Sequence, residues 1–436
     1  MPSIDNRSSG GASNISSAIN LTKTIIGAGL LSMPLAYATD GTIFGTFIII
    51  LAALTSGFGL FIQAYVSRYI ASGHANFFGL CLITYPQLSV IFDIAIAIQC
   101  FGCAISYLVL IGDLMPTIIS DVPYVEEKHY RTFWLLVSAL FTVPLSFAKK
   151  LDALRYTSIL ALIAILYISL LVVAHFFIHD IPRSGIIEYF PSSITGVFST
   201  FSIIVFAFSG QQNMFSIINE AKDKSLTNLT RLINFAIILS SVLFIGVGLA
   251  GYLTFGSSVN GNVILSYPNG AATLLGRFCI VFMVLFSFPL MFYPARISFN
   301  NIYYSAKKGL QEKSEEVNET TLLIQGGDEG DTEEQTNLHV VPFTHKTFVV
   351  LTILLLITAY TLAITLKSFA FVLAIVGATG STSISFILPG LFGYKLIGSE
   401  LDDPSTLEKI FKYLSLGLTI WGVAVMIVCL YSSLAL

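Results

Sequence analysis

Two polar interruptions in an otherwise apolar sequence hold most of the groups able to do chemistry. The first reads Asn20-Leu-Thr-Lys-Thr-Ile-Ile-Gly27-Ala28-Gly29-Leu-Leu-Ser-Met-Pro34. The second reads Phe206-Ala-Phe-Ser209-Gly210-Gln211-Gln212-Asn213. Their chemistry is that of the backbone: a helix broken in mid-course leaves N–H groups on one side of the break and C=O groups on the other. The N–H ends carry the positive end of a helix dipole and suit a carboxylate. The C=O ends suit an ammonium group or a small cation. A zwitterionic amino acid carries both charges on one carbon, so it matches a pair of broken helices. Gly27 and Gly29 would let the chain unwind and let a ligand approach the backbone closely. The alternative is that they are small-residue contacts between packed helices. The second break, in a matching place, favours the ligand.

The elements that must carry these breaks are membrane spans. Of 436 residues 55% are hydrophobic and only 11% charged, where a soluble domain carries about a quarter. Lipid is the solvent such a surface requires. A net charge of −3 gives no basic patch for nucleic acid. The five cysteines are an odd number, mostly in apolar stretches, which argues against a disulfide framework. Cys100 and Cys103 form a CxxC without a nearby histidine and read as small core residues. Residues 1–13 are polar and glycine-rich, unlike a cleavable signal, so the first apolar helix is expected to direct insertion.

A span needs about 20 mostly apolar residues. Eleven stretches meet this: 14–38, 42–70, 88–114, 132–148, 156–178, 192–217, 230–254, 270–299, 345–366, 369–397 and 408–434. With the N-terminus in the cytosol, 16 Lys and Arg fall inside and 4 outside. That bias supports the orientation and the odd count, and puts the C-terminus on the far side. Spans one to five cover 14–178, which is 165 residues. Spans six to ten cover 192–397, 206 residues including an acidic stretch over 303–342. Without those 40 residues the second unit has 166. Two five-helix units of equal length follow, inverted because each has an odd number of spans, and each begins with its broken helix. The remaining parts are a cytosolic tail over 1–13 and an eleventh helix over 408–434. The acidic stretch reads as a disordered cytosolic loop. Within it Glu319-Thr-Thr-Leu-Leu-Ile324 fits an acidic-dileucine pattern, a candidate contact for a sorting adaptor.

The residues from Asn20 to Pro34 resemble the first-helix motif of the amino acid/auxin permease family. Agreement continues in Ile111-Gly-Asp113-Leu-Met-Pro116, Ser216-Ile-Ile-Asn-Glu220, Ser287-Phe-Pro289, Pro294-Ala-Arg296 and the run from Val376 to Gly390. The later motifs look most like the fungal vacuolar amino-acid transporters. The resemblance implies an all-α polytopic membrane protein with a LeuT-like five-plus-five inverted repeat and one extra helix. It also implies a secondary active transporter working by alternating access, with proton-coupled movement of amino acids from vacuole lumen to cytosol. Carried over by motif, the substrate meets Gly27, Ala28 and Gly29 of the first span and Phe208, Ser209, Gly210 and Gln211 of the sixth. Ser287 stands where sodium-coupled relatives have a sodium-ligating hydroxyl. The alternative for Ser287 is a bond to its own helix backbone. Protons are the expected coupling ion and sodium the alternative; no other cofactor or metal is expected.

Thr24 lies one turn before the first break and is placed to line the same cavity. Tyr107 either closes the site or packs into the bundle. Charges inside spans are costly and so count as candidates. Lys23 either extends to the interface or forms a cytosolic gate or coupling charge with an acid such as Glu220. Asp93 suits the N-terminal end of its helix. Asp113 sits at the opposite end, where the dipole does not help it, and is a candidate for a proton or a structural pair. His175 would titrate at lumenal pH or stand by. No HExxH, paired aspartates or Ser–His dyad occurs in the spans, which excludes an enzyme. No unpaired acid stands beside either break, so neutral amino acids are the expected substrates, acidic ones next. The competing function is an amino-acid sensor on the same fold at the vacuolar membrane. A monomer is expected.

Overall fold

The computed structural model describes residues 13–147, 157–178, 181–182, 185–319, 344–400 and 404–435. The tail over 1–12, most of the acidic stretch, the dileucine-like pattern beyond Glu319, and Lys149, Lys150, Arg155 and Arg183 lie outside them.

All regular structure among the described residues is helical. In chain order the helices are α1 (Asn14–Ile25), α2 (Met33–Asp40), α3 (Thr42–Val66), α4 (Phe77–Thr84), α5 (Ser89–Ile118), α6 (Tyr130–Ser146) and α7 (Thr157–Ile178). They continue with α8 (Ile194–Ala207), α9 (Gln211–Glu220), α10 (Leu226–Phe255), α11 (Ala271–Glu319), α12 (His345–Thr365), α13 (Phe369–Val376), α14 (Leu388–Leu396) and α15 (Thr406–Ala435). Serine and threonine hydroxyls start several of them. Ser13, Ser193, Ser225, Thr344 and Ser368 each accept a bond from a backbone N–H in the first turn of the helix that follows, satisfying a donor the helix cannot. Gly41, with φ of 77°, ends α2, and Gly256, with φ of 56°, ends α10, both in backbone conformations that L side chains rarely adopt.

Among the described residues nine helices are long and apolar enough to cross a membrane, and α1 with the segment Ala28–Asp40 makes a tenth crossing bent by 43°. The stretch expected to span over 132–148 forms α6, whose 17 residues end at Ser146, at the lower limit of spanning length. The chain is therefore a polytopic, all-α membrane protein. Within it α5 is central: 83% of its most apolar stretch is buried, against 28% in α12 and α15, which present their apolar faces outward.

The neighbours form a regular pattern. Take α1 with α2 as crossing one, α8 with α9 as crossing six, and α13 with α14 as crossing ten. Crossing two packs on seven (α3 on α10), three on eight (α5 on α11) and four on nine (α6 on α12). Other contacts come in matching pairs: α5 on α12 with α11 on α6, α5 on α13 with α11 on α7, and α7 on α10 with α3 on α14. Exchanging crossings one to five for six to ten leaves this list unchanged. Helix α15 has no counterpart and lies against α14 and α8.

Crossing ten departs from the α-helical repeat. Between α13 and α14 it passes through two π-helical turns, Gly377–Ser381 and Ser383–Ile387. Its glycines have no room for a side chain: a Cβ on Gly377 would collide with the Ser202 carbonyl of α8, and one on Gly380 would lie 2.6 Å from the Gln99 backbone nitrogen of α5.

Candidate functional site

Both polar interruptions are breaks in the helix. In crossing one, α1 ends at Ile25 and, after Ile26 and Gly27, a 3-10 turn begins, Ala28–Ser32. The N–H groups of Ala28 and Gly29 open that turn and have no acceptor within it. In crossing six, α8 ends at Ala207, the chain passes through Phe208, Ser209 and Gly210, and α9 begins at Gln211.

The two breaks face one cavity of about 310 Å³, in the size range of small-ligand sites. Crossing one contributes Asn20, Lys23, Thr24, Gly27, Ala28 and Gly29 to its wall. Crossing six contributes Ser209, Gln212, Asn213, Ser216 and Glu220. Helix α5 adds Gln99, Cys103 and Tyr107, α11 adds Met283, Ser287 and Met291, and α7 adds Ala161 and Ile165. The two broken crossings supply most of the polar side chains of the wall, with Gln99, Tyr107 and Ser287 added from α5 and α11.

Among the described residues, the wall of the cavity extends toward one side of the bundle. Asn20, Lys23, Ser216 and Glu220 mark the side on which α1 begins and α9 ends. The far side is sealed by the connection between α10 and α11. Ser32 Oγ donates to the Gly261 carbonyl at 2.7 Å, and Val263 and Ile264 are fully buried next to it.

Of the residues singled out by sequence, the structure brings Lys23, Thr24, Gly27, Ala28, Gly29, Tyr107, Ser209, Glu220 and Ser287 to this cavity. Thr24 Oγ1 donates to the Asn20 carbonyl at 2.8 Å and accepts from Asn213 Nδ2 at 3.3 Å, so it ties crossing one to crossing six. Ser287 has no hydrogen-bond partner among the described residues. The glycines divide between the two roles weighed for them. A Cβ on Gly27 would meet only the Thr24 carbonyl, at 3.9 Å, whereas one on Gly29 would lie 2.6 Å from the Ala207 Cβ. Gly27 leaves space at the cavity, and Gly29 lets crossing one lie against crossing six.

Four of the residues lie elsewhere. Phe208 is fully buried and packs edge-on against Phe244 of α10, ring centroids 4.9 Å apart. Gly210 packs against Leu21 and Ile25 of α1. Gln211 turns away from the cavity: its Oε1 accepts from the Gly210 N–H and from Ser385 Oγ, both at 2.9 Å, and its Nε2 donates to the Ser56 carbonyl at 3.1 Å. Ser56 Oγ and Gln63 Nε2 of α3 donate in turn to the Phe208 and Gln211 carbonyls. The break in crossing six is therefore held open by side chains of its neighbours. Asp113 is paired with Arg131 of α6 at 2.9 Å. Arg131 also donates to the Ile364 and Leu366 carbonyls at the end of α12. Asp93, at the other end of α5, accepts from Asn301 Nδ2 at 3.0 Å.

Sequence reasoning did not single out Asn20, Gln99, Gln212 or Asn213. The signal available was an amide in an apolar stretch. Gln99 Oε1 accepts from Ser381 Oγ of the π segment at 2.6 Å. Gln212 donates to the Ser209 carbonyl at 3.2 Å, while its buried Oε1 has no partner among the described residues.

Fold and site together define a polytopic membrane protein with a small-molecule cavity between two broken crossings. Residues 10–428 match the family model described as transmembrane amino acid transporter protein. The chain is 41% identical to Vacuolar amino acid transporter 7 of Saccharomyces cerevisiae, over 96% of this chain and 97% of the relative. It is 37% identical to Vacuolar amino acid transporter 5 of Schizosaccharomyces pombe, over 98% of this chain and 95% of the relative. A more distant similarity, 29% over 72% of this chain, is to Sodium-coupled neutral amino acid transporter 7 of Danio rerio. The chain belongs to the transmembrane amino acid transporter family, whose members are transporters and not enzymes.

Proposed function

We propose that the protein is a secondary active transporter that carries neutral amino acids from the vacuole lumen to the cytosol, coupled to protons, by alternating access. The observation that carries this reading is the cavity itself. Unpaired backbone N–H groups at one break and polar side chains at the other meet in a space that extends toward one side of the bundle and is sealed on the other. The amino and carboxylate groups of a substrate bind at the breaks, and its side chain lies toward Tyr107, Met283 and Met291. Lys23 and Glu220 border the open end. With the N-terminus in the cytosol, the arrangement is the one that releases substrate there.

The interchange of crossings one to five with six to ten supports two inverted five-helix units, because each contains an odd number of crossings. A vacuolar membrane is supported by the printed names of the yeast relatives, which match nearly the whole chain. Neutral substrates are supported by the printed name of the Danio rerio relative. Sodium coupling is the specific alternative, because Ser287 faces the cavity without a hydrogen-bond partner among the described residues.

Uptake of a panel of radiolabelled amino acids into proteoliposomes tests the reading. A neutral amino acid should accumulate under an imposed pH gradient and not under a sodium gradient. Accumulation driven by sodium alone would overturn the proton coupling. Binding without uptake or counterflow under any gradient would leave a sensor.

A further inference from the structure

Helix α2 is the far-side half of crossing one, and its last residue is Asp40. The sequence places Asp40 in the connection between the first two spans, yet its side chain is 0% exposed. One carboxylate oxygen, Oδ1, accepts from Thr200 Oγ1 of α8 at 2.7 Å. The other, Oδ2, has no partner among the described residues. The position ends α2, where the dipole disfavours an anion, and although α3 begins two residues on, the N–H groups of Thr42, Ile43 and Phe44 are taken by the Glu188 and Tyr189 carbonyls.

Among the described residues no cation packs around Asp40. On its own helix Tyr37 bonds Thr46 of α3 at 2.9 Å and stacks on Tyr252 of α10 at 6.4 Å. The connection from α7 to α8 contributes Glu188, whose N–H donates to the Tyr252 hydroxyl, and Tyr189, whose backbone lies beside Gly41. The titratable groups near it on these elements are three tyrosines and one further carboxylate, with no cation near it among the described residues: Arg231 of α10 lies at the opposite end of that helix, and Arg183 of the α7–α8 connection lies outside them. A buried carboxylate needs a positive partner or several donors, and one threonine hydroxyl is neither. The neutral acid meets no such cost.

We propose that Asp40 is a proton-binding site, and that the far side of the bundle closes over it only when its carboxyl is neutral. The proposal rests on the reading that the bundle alternates access. The Asp40–Thr200 bond joins α2 to α8, the far-side halves of the two broken crossings. Around it the packing is tight: a Cβ on Gly196 would lie 2.6 Å from Thr39 Cγ2. An arrangement open on that side wets Asp40, which then ionises freely; the arrangement seen here buries it. Acid on the far side therefore favours closure, and rising pH opposes it. Asp40 is not in the cavity wall, so its proton is not handed to the other side. It sets when closure occurs and not how many protons cross.

The test is thiol accessibility. Ile264 is fully buried in the far-side seal, and an Ile264→Cys variant is labelled in proteoliposomes by a membrane-impermeant maleimide, counted above the parent protein. Reactivity is normalised to a cysteine peptide at each pH. As far-side pH rises from about 5 to about 8, labelling should increase by up to about tenfold per pH unit, the limit for one proton. Labelling that stays flat overturns the proposal in a protein whose folding is not in question. Adding Asp40→Asn should hold labelling at the low, acid level throughout, and a pH profile unchanged by Asp40→Asn also overturns it. Exchange of a radiolabelled neutral amino acid mixture, measured on the same vesicles, separates the two readings. A labelling profile that behaves as described without any exchange would sink the transport reading and leave the proton site standing.

Discussion

At the residue scale the two glycines of the first break are not equivalent, although the sequence presents them as one Gly-x-Gly. Gly27→Val adds its side chain where only the Thr24 carbonyl lies within 4 Å, so the bundle should fold and the cavity should shrink. Uptake at low substrate should then fall by at least about tenfold, the equivalent of about 1.4 kcal/mol of lost binding. Gly29→Val instead drives a branched side chain into Ala207 and its backbone. Overpacking of this kind costs about 1–3 kcal/mol, and the expected result is a lower melting temperature in detergent. Measuring melting temperature and substrate binding on both variants separates the effects. Equal loss of stability in the two would contradict the geometry. Spacing alone did not separate these roles, because it does not record which glycine faces the neighbouring helix.

At the element scale, the break in crossing six depends on residues remote in sequence. Gln211 bonds to Ser56 and Ser385, and Ser56 and Gln63 satisfy carbonyls freed by the break. Gln212, one residue on, lines the cavity. A helix turns about 100° per residue, so adjacent glutamines at the start of α9 point to different neighbours. Gln211→Ala should lower thermal stability by about 1–3 kcal/mol, since it strands buried partners, with the KM of the remaining transport little changed. Gln212→Ala should do the reverse, shifting KM at nearly constant stability. A KM change in Gln211→Ala larger than that in Gln212→Ala would refute the assignment. The sequence marked both breaks correctly because polar residues and glycines in an apolar run are visible locally. It marked Gln211 for the substrate and passed over Gln212 because the partners that turn Gln211 away from the cavity, Ser56, Gln63 and Ser385, lie 148 to 174 positions away. Asp113 was legible as an unusual charge, whereas its partner Arg131 had been placed outside the spans, and only the packing of α6 on α5 joins them.

At the scale of the whole molecule, the apolar stretches, their lengths and their order were legible, because lipid forces each crossing to satisfy its own backbone. Less legible was the depth at which each connection sits. Asp40 reads as a loop residue and is buried; 132–148 reads as a full span and gives a 17-residue helix. The proposed orientation rests on a whole-chain property, the 16 to 4 distribution of Lys and Arg. It can be read out without any transport assay. A glycosylation sequon on a short flexible linker placed after Leu436 should be modified in cells, because an odd number of crossings puts that end in the lumen. The same tag before Met1 should remain unmodified, as should Asn228, which lies half-buried at the start of α10 on the side where the cavity is open. Modification at the N-terminal tag and not at the C-terminal one would reverse the bundle. The open cavity would then face the lumen and Asp40 the cytosol, and the direction of export proposed from this arrangement would fail with it.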